Sequence, residues 1–444
     1  MANTQGVNRI ISSSLTLVAG VAGLASFDTP AIITDDAPIS GFTGVRAKIY
    51  GVDELATVAT EFGSGTATYK AAAAIVAQSP TVDQFVIIKR DSAVATVQTV
   101  TWSGDFGAGE TITGLVNGDA ISVAWNTDNA TTMGDLNTAI AAAYGIDTST
   151  GAVNTNTVTA DAEYPLSISL TAAGGNAPTA TVATTVSGRS IQDDIADALL
   201  EPTTAIWYTL YYCGSSEGAM LNGAAKAETE TMLFAVQSNG ATVKTSATDD
   251  VMSRLQDSAY RRTFGTYRGT LTDHANAALF GRVLAADPGS ITFWHRTLSG
   301  VVADDLTTSE IGFIEGKDCN NYANIANTGR FEPGVTFDGN SIQLTRDLDY
   351  MMNEITEELL AMITSRNKTP FDASGQVLIE STIDGTLSRM VQEDVLASGY
   401  TLTVPAPSAV NSSDKANHLW SGITIDGAYN DGVRKISFSA TIEV

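Results

Sequence analysis

An α/β chain (α+β overall) built of several domains is what the sequence predicts, and three observations carry that prediction. Strand-length apolar runs alternate with helix-length amphipathic ones on both sides of a central block. That block, residues 91–188, holds nine acids and not one Lys or Arg. The other 346 residues carry all 24 basic groups and a net charge of −16. A stretch so unlike both flanks reads as an inserted domain. Finally, both ends of the chain show the period-two alternation of strands.

Taken in order, residues 7–21 read as extended, with Val7, Ile11, Leu15 and Leu17 on one parity. Residues 52–62 read as a helix, because Asp53 and Glu54 suit the positive end of the dipole and Gly63 stops it. A second, Ala-rich helix spans 68–78 and ends at Ser79-Pro80. Residues 85–89 form a continuous apolar run, the mark of a buried strand. Within the insert, short Thr/Val-rich strands are predicted at 96–102, 120–125, 156–159, 166–171 and 179–185, with one helix at 133–143. Helix, strand, helix and strand then follow at 191–200, 205–213, 217–228 and 232–236. The alternation continues with a helix at 249–257, a strand at 262–267, a helix at 275–285 and a strand at 291–296. Such alternation means a mostly parallel sheet covered by helices.

The last third is different. Leu344, Leu348, Met351, Met352, Ile355, Leu359 and Met362 recur at helical spacing, and Asp347, Asp349, Glu354, Glu357 and Glu358 are assigned to the opposite, solvated face. A second helix is expected at about 375–397 despite Gly385. At the end, Ile436, Phe438, Ala440, Ile442 and Val444 alternate with polar residues to the last position. A terminal strand of this kind either closes its own sheet or is donated to a neighbour's edge.

Length and charge narrow the function. The 444 residues suffice for about three domains. With 24 Lys and Arg against 49 Asp and Glu, the net charge of −25 is wrong for facing phosphates or an anionic membrane. Only 16% of residues are charged, which excludes an acidic disordered chain. Cys213 and Cys319 read as buried free thiols, and no apolar run reaches membrane-spanning length. The apolar stretch near Leu15 faintly resembles a signal peptide, but Ser12-Ser13-Ser14 interrupts it and Arg9 alone makes a poor basic region.

One motif imitates a catalytic one. Gly214-Ser215-Ser216-Glu217-Gly218 matches G-x-S-x-G between a strand and a helix, and Asp287 or Asp318 with His295 or His418 completes a Ser, Asp, His order. No glycine-rich oxyanion segment precedes it, so a serine hydrolase acting through Ser216 stays an alternative, as does a secreted β-rich adhesin. His274, His295 and His418 lack zinc spacing, and the paired aspartates at 35–36, 193–194, 249–250 and 304–305 lack calcium-loop spacing. They read as helix starts or solvated turns. No catalytic residue, metal or cofactor is therefore assigned.

Several segments in order resemble the contractile tail sheath proteins of tailed bacteriophages, in a divergent branch of the myovirus type. These are Arg46 to Tyr50, Asp53-Glu54-Leu55-Ala56-Thr57-Val58, Glu61-Phe62-Gly63, Tyr69-Lys70-Ala71-Ala72 and Ala77-Gln78-Ser79-Pro80, with the strand ending Lys89-Arg90. The resemblance resumes at Leu279-Phe280-Gly281-Arg282-Val283, Asp287-Pro288-Gly289-Ser290 and Leu298-Ser299-Gly300-Val301. It goes on through Asn320-Asn321-Tyr322, Gly334, the helix from Asp347, Thr369-Pro370-Phe371-Asp372 and Tyr400 to Pro405. About two thirds of the chain is covered. Residues 91–188 have no counterpart, and the C-terminal segment matches in periodicity more than in motif.

The resemblance implies a structural subunit, not an enzyme, that needs no cofactor. Its partners would be further copies in hexameric rings, a tail tube protein, and baseplate and tail terminator proteins, in a virion assembled in the host cytoplasm. It implies an N-terminal arm (1–30), a discontinuous sheath domain (31–90 and 189–330), an outer insert (91–188), an inner-radius domain (331–433) and a C-terminal strand arm (434–444). Val7, Ile11, Leu15, Leu17, Ile436, Phe438, Ala440, Ile442 and Val444 would be inter-subunit strand residues. Glu354, Glu357 and Glu358 would face the tube.

Overall fold

The computed structural model describes residues 26–430 and 432, apart from 202, 203, 205 and 206. The first described element is strand β1 (Ser26–Thr34), followed by β2 (Ala47–Gly51), helix α1 (Leu55–Phe62), helix α2 (Ala67–Val76) and β3 (Gln84–Lys89). Thr66 caps α2 by accepting the Tyr69 N–H, one of the helix-start amides that has no partner within the helix.

The block without Lys or Arg then contributes β4 (Val97–Trp102), β5 (Thr111–Val116), β6 (Asp119–Ala124) and helix α3 (Asn129–Ala141). Strands β7 (Ile146–Ala152), β8 (Thr155–Ala160), β9 (Ile168–Ala173) and β10 (Ala180–Val186) complete it. They form two antiparallel sheets, β10-β4-β8-β7 and β6-β5-β9. Val100, Trp102, Ile112, Leu136, Ile140 and Val158 are buried in a core of their own. Strands β5 and β7 went unread in the sequence because each carries a glycine, Gly114 and Gly151, that breaks the apolar alternation.

After the insert come α4 (Ile191–Leu199), β11 (Trp207–Tyr212), α5 (Glu217–Thr229), β12 (Leu233–Ser238), α6 (Val251–Asp257), β13 (Thr263–Tyr267) and α7 (Ala275–Val283). Helix α8 (Thr308–Glu315), β14 (Asn320–Ile325) and β15 (Thr328–Glu332) follow. The main sheet runs β15-β14-β13-β12-β11-β1-β3-β2. Its six central strands are parallel, and its edges β15 and β2 are antiparallel. One face packs on α1, α2 and α7 around Phe85, Phe264 and Phe280. The other packs on α4, α5 and α6 around Phe234, Leu210 and Ile195. The mostly parallel, covered sheet predicted by the alternation is thus present.

Residues 291–296 do not form the predicted strand. They fold as a turn with His295 at φ +58°, joined to the sheet edge by the Arg296–Phe331 bridge rather than by a ladder. Phe293 is apolar because it fills the core under Phe264, not because it lies in a ladder.

The last part holds the long helix α9 (Ile342–Thr364), α10 (Ala373–Gln392), β16 (Thr401–Thr403), the short α11 (Ser412–Ala416) and β17 (Thr424–Asp426). Met351, Ile355 and Leu359 of α9 meet Ile379, Ile383 and Leu387 of α10 in a fourth core. Helix α10 begins at its Asp372 cap and stops five residues before the expected end, where Asp394 takes φ +61°. Strands β16 and β17 form a two-stranded antiparallel sheet with Leu402 opposite Ile425.

Candidate functional site

The terminal segments with Val7, Ile11, Leu15, Leu17, Ile436, Phe438, Ala440, Ile442 and Val444 lie outside the described residues. The structure does describe the place from which they depart. Arg346 and Asp347, neighbours on the first half of α9, hold the start of β1 and the segment around Tyr429 together. Arg346 Nη2 donates to the Phe27 carbonyl at 3.1 Å and the Ala286 carbonyl at 2.9 Å. Asp347 accepts from Tyr429 Oη at 2.8 Å and from the Gly289 N–H at 2.9 Å. Burial pushes the Arg346 guanidinium below its ordinary pKa. Close to both ends of the described residues, the chain is therefore tied to one helix.

The acidic face assigned to α9 divides in two. Asp347 and Asp349 are not solvated but buried. Asp349 accepts from Arg262 Nη2 at 2.7 Å, Arg262 Nε at 2.9 Å and Tyr208 Oη at 3.0 Å, which fixes the helix to β11 and to the residue that precedes β13. Glu354, Glu357 and Glu358 lie on the outer half. Glu354 pairs with Arg389 of α10 at 2.7 Å, Glu357 accepts from Asn353 at 2.7 Å, and Glu358 is exposed. The sequence period is correct, since Asp347 and Glu354 lie seven residues apart on one side. What differs is the surroundings: the first half of α9 is enclosed by the sheet and the 286–289 loop.

The insert meets the body through a charge cluster. Arg90 pairs with Asp35 at 2.5 Å, with Glu163 and with Asp194 at 3.2 Å. Arg189 reaches Asp194 at 2.7 Å and Asp197 at 2.8 Å, and Arg46 reaches Asp91 at 2.8 Å. The two linker strands bridge at Val94 and Arg189, each N–H donating to the other's carbonyl at 2.9 Å. Burial raises the Glu163 carboxyl, offset in part by Arg90, whereas the Arg46 hydrogen bond lowers Asp91. Tyr144 also donates to Glu217 at 2.7 Å. Arg254 lies 3.5 Å from the centre of the Tyr144 ring.

These contacts explain the G-x-S-x-G turn. A Cβ on Gly214 would lie 2.1 Å from Asp35 Oδ2, and one on Gly218 would lie 2.6 Å from the Tyr164 ring. Gly218 makes room for the insert's base, and Gly214 for Asp35 and Tyr212 of the body. Ser216 is the N-cap of α5, its Oγ accepting the Ala219 N–H at 3.3 Å. His274 instead binds Tyr211 Oη at 2.9 Å, His295 pairs with Glu332, and His418 lines an apolar pocket beside Trp420. Nothing in this geometry supports a nucleophile at Ser216. The paired aspartates are likewise structural: Asp36 takes the Thr68 N–H at the start of α2, and Asp250 caps α6 and holds Lys317 at 2.5 Å. Asp304 is no solvated turn residue, because it pairs with the fully buried Arg268 at 2.7 Å. Cys213 and Cys319 are free and buried, with the Cys213 thiol pushed up to about 12. Among the described residues no group of three His, Cys, Asp or Glu is placed to hold a metal, and no helix is long and apolar enough to cross a membrane.

No protein-family model matches the chain, and the comparison with curated proteins finds no match. Solved structures do match it along its whole length. The PVC sheath complex of an extracellular contractile injection system, in its contracted state, is 10% identical, covers 97% of this chain and 99% of its own, and has a TM-score of 0.52. The helical sheath of the anti-feeding prophage, also contracted, is 12% identical, covers 100% of both chains and has a TM-score of 0.51. The chain therefore has the fold of contractile tail sheath proteins.

Proposed function

We propose that this chain is the structural subunit of a phage contractile tail sheath. Copies stack as hexameric rings around an inner tail tube, and the array contracts to drive the tube through the host envelope. The observation that carries this reading is the likeness in fold to two sheath subunits from end to end. The tube, baseplate and terminator proteins would be its partners in the virion, and assembly would take place in the host cytoplasm. In this reading the domain of residues 331–433 faces the tube and the insert of residues 91–188 faces outward.

The arms of residues 7–21 and 434–444 are donated between subunits. Strands β16 and β17 support this, because two strands of three residues each fall short of an independently stable sheet. A neighbour's alternating strand would extend that sheet through main-chain hydrogen bonds. Head-to-tail contacts that do not close generate a helical array. Contraction is then a rigid-body passage between two packings, with the arms as tethers.

Negative-stain microscopy of the purified chain is expected to show tubes or rings. Deleting residues 434–444 is expected to leave soluble protein that forms none, and normal tubes from that variant would refute strand donation. Reversing Glu354, Glu357 and Glu358 to Lys is expected to abolish docking on the inner tube in co-assembly while self-assembly continues. Unchanged docking would assign that face to solvent.

A further inference from the structure

We infer that β10 is an association edge through which two copies of this chain pair antiparallel. It ends the four-stranded sheet of the insert, with only β4 beside it among the described residues. Every residue from Thr181 to Val186 is exposed, including Val182 at 37% and Val186 at 43%. The strand contains Ala, Thr and Val alone, with no charge and no proline. Its one irregularity, a register shift between Thr184 and Val186, comes after a straight run of five residues. The opposite edge, β7, is guarded: it carries Asp147 at its own register shift, and Gly151 further along. An uncharged, straight, exposed edge is a template for another strand.

The backbone decides which residues offer hydrogen bonds. Ser103 N–H donates to the Thr179 carbonyl at 3.0 Å, so Thr179 points its polar groups towards β4. Bonded and non-bonded residues alternate along an antiparallel ladder. Thr181 and Ala183 therefore also turn towards β4, leaving the amides and carbonyls of Ala180, Val182 and Thr184 on the free edge.

A second β10 satisfies those groups. Antiparallel pairing centred on Val182 sets that residue against its own copy, Ala180 against Thr184, and Thr181 against Ala183. Each facing pair shares one side of the sheet, so the register flips no side chain. About six main-chain hydrogen bonds form. The two Val182 side chains cover each other on the side where Val100, opposite Val182 in β4, is fully buried. The contact is small, so the dimer is expected to be weak. Each insert carries nine acids and no base, so salt is expected to strengthen it. A two-fold contact closes at two copies and cannot build an open array, so this pairing is independent of the sheath reading.

The test is sedimentation of the unassembled full-length chain, where a dimer is expected to grow with protein and salt concentration. Val182→Lys and Val182→Glu are each expected to stay monomeric, and an equal mixture of the two to restore the dimer, which a folding defect would not do. Val182→Cys is expected to oxidise to a covalent dimer, since facing Cα atoms in a bonded pair lie about 5.5 Å apart. Ala183→Cys is expected not to, because its copy lies diagonally at about 7–8 Å. Cys213 and Cys319 are buried and leave the new thiol as the reactive one. A wild-type chain that stays monomeric, a dimer indifferent to Val182→Lys, or equal cross-linking at both positions would overturn the inference. So would loss of the dimer on deleting residues 434–444, which would assign the edge to that strand. Val182→Lys is expected to leave tube formation intact, separating this pairing from array assembly.

Discussion

His274 shows how one buried side chain sets a pH limit. It begins α7 in the left-handed region at φ +46°, is 3% exposed, and binds Tyr211 Oη. Burial, with Lys70 nearby and only Asp36 opposing, lowers its pKa to about 4. The folded chain thus keeps the ring neutral where the unfolded chain, near its ordinary 6.5, takes up a proton. More protons on the unfolded state mean that stability is full above about pH 6.5 and is lost as pH falls towards 4. Between pH 7 and about pH 4.5 that loss is about 2–3 kcal/mol. His274→Asn, which tolerates the left-handed backbone, is expected to remove this part of the acid sensitivity. Urea midpoints of both proteins at the two pH values measure it, and identical pH slopes would refute it.

At the scale of elements, glycine inside a helix carries two opposite meanings. Gly281 in α7 faces the backbone of α2, where a Cβ would lie 2.5 Å from the Ile75 carbonyl oxygen. Gly385 in α10 is exposed, with nothing within 4 Å of a Cβ. Alanine gains about 1 kcal/mol over glycine in a helix interior, whereas overpacking costs about 1–3 kcal/mol. Gly385→Ala is therefore expected to stabilise by about 1 kcal/mol and Gly281→Ala to destabilise by at least as much, both read from chemical denaturation. The same local view explains what the sequence revealed of the elements. The strand–helix alternation of 191–283 was legible because its strands are short runs rich in aromatic and aliphatic residues between helix-length segments. Strand β1 was not, because Asp28 and Pro30 argue against a central strand. A register shift between Ser26 and Pro30 accommodates the proline between β11 and β3. Strand β14 hid behind Asn320, a fully buried polar residue. Its amide donates to Gly265 and Val335 carbonyls at 2.9 Å and accepts the Gly334 and Val335 N–H groups at 2.8 and 2.9 Å. Such satisfaction depends on a distant loop that no local pattern displays. The terminal alternation falls outside the described residues, and the hub at Arg346 and Asp347 was not legible, since its partners lie at Phe27 and Tyr429.

For the whole molecule, the question is whether the insert is an addition to the fold or part of it. Its core is separate from the cores of the body, and the chain leaves and re-enters the body at one bridge. Val94 and Arg189 exchange both hydrogen bonds there, which is the closing pair a two-residue hairpin requires. Replacing residues 95–188 by Asn-Gly is therefore expected to close the chain without moving α4 or β3. The excision removes Glu163 from Arg90, but Asp35 and Asp194 keep that guanidinium paired, so no buried charge is stranded. Glu217 and Arg254 lose Tyr144 and become solvated instead. The shortened chain is expected to unfold in one cooperative transition with a midpoint near that of the body in the full chain. Tubes of smaller outer diameter are expected by microscopy if the insert faces outward. A shortened chain that aggregates or loses its helical circular dichroism would make the insert an integral part of the fold. One that folds but forms no tubes would place the insert within the contacts between subunits, opposite to the outward position proposed for it.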